Sequence, residues 1–182
     1  MAKELNVVEE EQWVAERSCG DCQACCHELP VIATKPAMKK PPKTNCQYQC
    51  EKGCSIYEER PEPCRTYLCQ WAIGWGAEHW RPDKWGLIVE ANTMTMAITI
   101  CEIRRDAIQQ PEFKQLLPLL ADQASVILLT MDKEMVVFAK DQAEIDRLEK
   151  VQTGLEQEFE RIVALAEDAM QSDCTNKKEN ES

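Results

Sequence analysis

With 182 residues, the chain is long enough for one domain of ordinary size, or for a small module joined to a second small unit. Its 32 acidic residues against 21 basic ones leave a formal charge of -11, a balance that opposes a phosphate backbone and excludes nucleic acid as the expected partner. No stretch reaches the roughly 18 consecutive apolar residues of a membrane span, so a membrane is not an expected partner either.

The first predicted element is a short helix over residues 3–17, with Leu5, Val8 and Trp13 along one face. The opening MAKELNVVEEEQWV has no basic stretch followed by an apolar run, so no secretory leader is read there and a reducing, cytoplasmic location is expected. Cysteine then dominates: nine of the eleven lie between Cys19 and Cys69, in CGDCQACC, NCQYQCEKGC and PCRTYLC. Large apolar residues are scarce across that window, too few to offset backbone ordering at about 1–2 kcal/mol per residue. Bound metal would supply the missing stability, since structural zinc in small peptides contributes roughly 10–16 kcal/mol. Within the window TKPAMKKPPKT, with its prolines and lysines, reads as an exposed connector between two halves of one site.

Trp71, Trp75, Trp80 and Trp85 follow, and are read as packing anchors that join the cysteine-rich part to the rest, with a partner-binding patch as the alternative. Residues 86–90 and 93–100 are predicted strands of a hairpin that turns at Ala91 and Asn92. A helix is expected from Pro111 to Gln123, with Pro111 in its first turn and Pro118 placed to kink or end it. Residues 125–130 and 135–139 form a second predicted hairpin. Asp141 with Glu144 has the reciprocal capping pattern that opens a helix running to about Met170. Its apolar positions, Ile145, Leu148, Leu155, Phe159, Ile162, Ala166 and Ala169, make it amphipathic; packing on the sheet is preferred, and a coiled-coil homodimer is the alternative, with Gln152 and Gly154 interrupting the seam. The last quarter, from Asp141 on, carries 12 acidic against 5 basic residues and so most of the negative field.

The expected fold is α+β. A metal-stabilised cysteine-rich module with an N-terminal helix (1–85) precedes a small antiparallel sheet, covered on one face by helices and ending in the long helix (86–170), and a disordered tail (171–182).

The chemistry rests on the thiols. In a reducing compartment, clustered cysteines are more readily a metal or redox centre than a disulfide scaffold. The repeated Cys-x-x-Cys step through Cys19, Cys22 and Cys25 lets neighbouring thiolates reach one ion at about 2.3 Å. Four thiolates fill one tetrahedral zinc and eight fill two, so nine is an awkward number for isolated sites; side chains of the adjacent Cys25 and Cys26 diverge, so the pair serves two ions or bridges them. A polynuclear thiolate cluster holding more than one zinc or iron ion is therefore expected. An iron–sulfur cluster is the rival, because Cys-x-x-Cys-x-x-Cys also occurs in bacterial ferredoxins; here, however, the next cysteine follows immediately and no proline comes after it. His27 and His79 are read as an ordinary loop histidine and a packing residue, and Glu58 and Glu59 as solvated charge. Arg65 is the preferred cationic donor to the thiolates, with Tyr57 and Glu59 as further orienting groups. Cys101 reads as a small buried hydrophobe and Cys174 as a tail thiol.

The segments CGDCQACC, GCSIYEERPEPCRTYLC and RPDKWGLIV together resemble the YkgJ-type cysteine-cluster family, a zinc- or iron-chelating domain with a CxxCxxCC signature. The resemblance covers about residues 19–90 and implies a metal site without an assigned reaction. It implies Cys19, Cys22, Cys25, Cys26, Cys54, Cys64 and Cys69 as ligands, and Cys46 and Cys50 through a variant of the middle segment.

Neither a GxSxG elbow, an HExxH pair nor a glycine-rich phosphate loop is present, so any catalysis would run through the metal. Three functional classes follow. The first is a metal-binding protein with a structural, storage, delivery or sensing role, and the second an iron or iron–sulfur redox protein or enzyme. The third is an adaptor whose zinc is structural and whose tryptophans or acidic helix meet a protein partner.

Overall fold

A computed structural model of the chain describes residues 17–31, 40–51, 53–93 and 95–179. The expected helix over 3–17 lies, apart from Arg17, outside the described residues, as does most of the expected connector. The fold is mixed α+β with two sheets and a long C-terminal helix.

The cysteine-rich part is built from short pieces. A one-turn helix α1 (Ala24–Glu28) leads to a two-residue hairpin, β1 (Gln49–Cys50) with β2 (Gly53–Cys54), and then to helix α2 (Glu62–Thr66). Each is too short to be stable alone, so its backbone is held by tertiary contacts and turns. Helix α3 (Pro82–Trp85) closes this part, with proline at its first position and Gly86 after its last.

The second part is a four-stranded sheet in the order β3 (Leu87–Asn92), β4 (Ala97–Glu102), β5 (Val126–Leu129), β6 (Met135–Phe138). β3 with β4 and β5 with β6 are antiparallel, as expected, but β4 and β5 run parallel, Ile98 opposite Val126 and Cys101 opposite Leu129. The sheet is therefore mixed and not purely antiparallel. The cause lies in the connection: α4 (Pro111–Gln123) carries the chain from the end of β4 back to the start of β5, which is what a parallel pair requires.

Both faces are covered, a second departure from the expected single covered face. On one, Leu87, Val89, Ile100, Val126 and Leu128 pack with Phe113 and Leu120 of α4 and with Trp85. On the other, Ala97 and Ile127 pack with Leu148 of α5 (Gln142–Glu179). The register explains the split, because paired residues share a face and the two faces alternate along each strand. Helix α5 opens with the Asp141 carboxylate accepting the Glu144 N–H at 2.9 Å, and its backbone continues past the expected end near Met170 to Glu179. Buried Leu148 agrees with packing on the sheet. Gln152 is also buried and donates to Glu156, while a Cβ at Gly154 would meet nothing within 4 Å.

The tryptophans are packing residues. Trp80 stacks on Trp85 with centroids 4.8 Å apart, Trp75 lies 5.3 Å from Trp80, and Trp71 and Trp85 are buried. His79, expected among them as a packing residue, is instead exposed; its Nε2 meets the Glu112 carboxylate at 3.0 Å.

Candidate metal centre

The first thiols are set by a turn and a helix. The Cys22 N–H donates to the Cys19 carbonyl at 2.8 Å, closing a tight turn, and α1 follows with Cys25 and Cys26 as consecutive residues. Consecutive positions on a helix point about 100° apart, so the two side chains leave α1 in different directions although their thiols still hydrogen-bond each other.

The return of the chain is held against the end of α1. Val31 and Lys40 form an isolated bridge, the Lys43 N–H donates to Glu28 O, and the Thr44 N–H to His27 O. Lys40 belongs to the stretch expected as an exposed connector, yet it is buried, its ammonium donating to the carbonyls of His27 and Pro41 at 2.9 Å each. A turn closed by the Gln49 N–H on Cys46 O then feeds the β1–β2 hairpin, where Cys54 stands opposite Gln49 and Cys50 opposite Gly53. Cys50 is exposed, and its carbonyl accepts from the Gln23 amide; Cys46 and Cys54 are half-buried. Cys64 sits in α2, where its N–H donates to Pro61 O at 2.9 Å.

Cys69 and Cys22 lie at the seam with the sheet. Cys69 O accepts from Ile73 in the turn that begins the tryptophan segment, and the Gln70 N–H extends the edge of β3 by donating to Val89 O at 2.9 Å. The Cys22 thiol hydrogen-bonds Asp83, whose carboxylate is also gripped by Arg81; Arg81 meets Asp21 at 2.7 Å as well. Arg17 donates to the carbonyls of Trp71, Trp75 and Gly76 and lies over the Trp71 ring.

Electrostatics sort the thiols. The strongest charged neighbours of Cys25, after Cys26, are Cys19 and Cys22, and Cys19 also lies in range of Cys69. Those of Cys64 are Cys26, Cys46 and Cys54. Burial pushes Cys22 up to about 11, and burial also raises Cys64 and Cys69. The hydrogen bond from Cys25 brings Cys26 down to about 6, assisted by the cations of Lys40 and Arg60, while the same bond holds the Cys25 proton in place. Burial lowers Lys40, against the pull of the thiolates of Cys46, Cys26 and Cys25.

Beneath the thiols, Cys101 is far from isolated. It lies on β4 in range of Glu90, Glu28 and Lys43, and burial pushes it up to about 12. Glu90 is itself raised by burial; it leans toward the buried Tyr67 hydroxyl, an approach too loose for a well-formed hydrogen bond.

All nine cysteines expected as ligands, Cys19, Cys22, Cys25, Cys26, Cys46, Cys50, Cys54, Cys64 and Cys69, are free thiols in this one part of the fold; Cys101, on β4 of the sheet, is a free thiol too. The Cys174 side chain lies outside the described ones. Arg65, expected as the cationic donor, is exposed at the end of α2; among the described residues the cations that act on Cys26 are Lys40 and Arg60, which sequence reasoning passed over. Arg60 is oriented by its guanidinium lying 3.5 Å above the Tyr57 ring centroid and by donation to Tyr57 O. His27 bonds Glu28 through Nδ1 at 2.7 Å, the role of a loop histidine, and Glu58 and Glu59 are exposed as expected.

The donor set fits a soft metal in its chemistry, since thiolates are the ligands that zinc, copper(I) and iron clusters select. In arrangement, no three His, Cys, Asp or Glu side chains among the described residues are already drawn into a ligand set, so binding would have to close the loops. No protein-family model matches the sequence, and neither a curated protein nor a solved structure matches it.

Proposed function

We propose that this is a metal-binding protein that chelates zinc or iron, more than one ion per chain, through the thiolates of residues 19–69. Its role is structural, or one of storage, delivery or sensing. One observation carries the reading: nine free thiols are gathered in a part of the fold whose own elements are one or two turns long or two-residue strands. Such a part lacks the apolar core to order itself, and metal is the stabiliser its side chains can accept. Membership of the YkgJ-type cysteine-cluster family and a cytoplasmic location belong to the same proposal.

The test is elemental analysis with native mass spectrometry on protein purified without oxygen. At least two ions per chain are expected, with the thiols of residues 19–69 protected from alkylation. A single ion at full occupancy, with most of those thiols free to alkylate, would sink the reading. A brown protein with visible absorption and iron bound to inorganic sulfide would favour the redox class, to which the Cys19, Cys22, Cys25 spacing also lends itself.

A further inference from the structure

We propose that the clustered cysteines divide into two separate four-thiolate sites that meet at α1, one made of Cys19, Cys22, Cys25 and Cys69, the other of Cys26, Cys46, Cys54 and Cys64, with Cys50 in neither. The proposal rests on the metal-binding reading and goes beyond it by assigning each thiol.

Three independent features of the chain support the division. The first is α1 itself. Cys25 and Cys26 are consecutive on a helical turn with their thiols hydrogen-bonded to each other, so the two sites touch at this pair, each taking one of its sulfurs. The second is where the remaining thiols sit. Cys19 and Cys22 share a tight turn that is tied through Asp21, Asp83 and Arg81 to α3, and Cys69 begins the tryptophan turn whose Gln70 extends β3; all three lie on the seam with the sheet. Cys46, Cys54 and Cys64 come from the loop after Lys40, from β2 and from α2, on the part of the module made of short pieces. Apart from the Cys25–Cys26 contact at which the sites meet, their charged neighbourhoods follow the same line, Cys25 and Cys69 with Cys19, and Cys64 with Cys26, Cys46 and Cys54. The third is Cys50, whose side chain is exposed at the hairpin turn while its backbone is engaged by Gln23. Removing it from the nine leaves eight, the number that fills two tetrahedral zinc sites without a bridging sulfur.

On loading, each cysteine still protonated gives its proton to solvent as its sulfur takes a metal bond, Cys26 being mostly thiolate beforehand, and each filled site carries two negative charges with a divalent ion. The second site has a counter-charge in place, the buried Lys40 ammonium, which feels Cys46 and Cys26 more strongly than Cys25, and Arg60 near Cys26 and Cys64.

The test uses the full chain, reduced and free of oxygen, loaded with zinc alone and weighed by native mass spectrometry. The parent and Cys50→Ser should each hold two ions; the double variants C22S/C25S and C46S/C64S should each hold one. With cobalt(II) in place of zinc, the sulfur-to-metal charge-transfer absorption per chain should halve in either double variant. To keep the test independent of the folding of the double variants, the parent is also given one equivalent of zinc and alkylated, with peptide mapping. The protected thiols should then fall into the two named sets of four, and Cys50 should be modified throughout. Protected sets that mix the two groups, a Cys50→Ser protein that loses an ion, or a parent that saturates at three ions would overturn the division while leaving the metal-binding reading intact; a parent that saturates at one ion would overturn the division and the reading of more than one ion per chain together. A parent that takes up no metal would overturn the underlying reading itself.

Discussion

At the scale of single residues, Cys26 is the thiol set apart by its surroundings. It accepts the Cys25 proton's hydrogen bond and lies near two cations, so its titration is brought down to about 6, whereas Cys22 is pushed up to about 11 and Cys64 and Cys69 are raised by burial. In metal-free protein at pH 7, Cys26 is therefore mostly thiolate while those three are thiols, and alkylation goes through the thiolate. Iodoacetamide should label Cys26 first, about tenfold or more ahead of Cys22, with a rate that is flat above pH 7 and falls as pH drops through about 6. Peptide mapping after short exposures checks this; equal labelling of the two would contradict it. The gathering of the nine thiols in one part of the fold was legible because they crowd together in sequence. Their surroundings were not. Lys40 stands in a run of prolines and lysines that is polar by composition, yet the Val31–Lys40 bridge draws it inward; Arg60 and Arg65 look alike in sequence and are separated only by how the turn before α2 is aimed.

At the scale of elements, α4 occupies the bounds its sequence announces, Pro111 to Gln123, with Pro118 accommodated inside it, because an apolar period flanked by a proline start is a local signal. The β3–β4 hairpin turns later than expected. Asn92, read as part of the turn, is the last residue of β3, and its side-chain oxygen accepts the Thr95 N–H at 3.2 Å, starting the turn instead of occupying it. The parallel pairing of β4 with β5 escaped notice because strand, strand, helix, strand, strand is compatible with either direction; the helix between them was the clue. The junction between α3 and β3 depends on Gly86, which has φ +87°, and a Cβ there would stand 2.9 Å from the Arg104 Cβ and 3.0 Å from that of Ala107. Gly86→Ala should destabilise the sheet by about 1–3 kcal/mol through backbone strain and overpacking together, as read by chemical denaturation. A neutral result would mean that the junction relaxes freely.

At the scale of the whole molecule, two kinds of stability are joined. The sheet, with Leu87, Ile88, Ile100, Val126 and Ile127 fully buried, has an apolar core of its own; the thiol-bearing part has turns, caps and side-chain ties. Stripping metal with a chelator should accordingly raise amide exchange across residues 19–66 while β3, β4 and β5 keep their protection. Hydrogen exchange read by mass spectrometry distinguishes this from the alternative, simultaneous loss everywhere, which would show one cooperative unit.

The indole stack lies on the boundary between those two parts, and this gives the protein an optical reporter of its own. Trp80 is held between Trp75 and Trp85, and the backbone of Gly76 passes so close that a Cβ there would run into the Trp80 ring. Rings fixed 4.8 Å apart and 8° from parallel couple as excited states, and that coupling changes with their separation and mutual orientation. Arg17 and the turn that follows Cys69 hold the same segment from the thiol side. A disturbance among the sulfurs thus reaches the chromophores by way of a few backbone bonds, so near-ultraviolet dichroism and emission record the state of the cysteine-rich part without any added label.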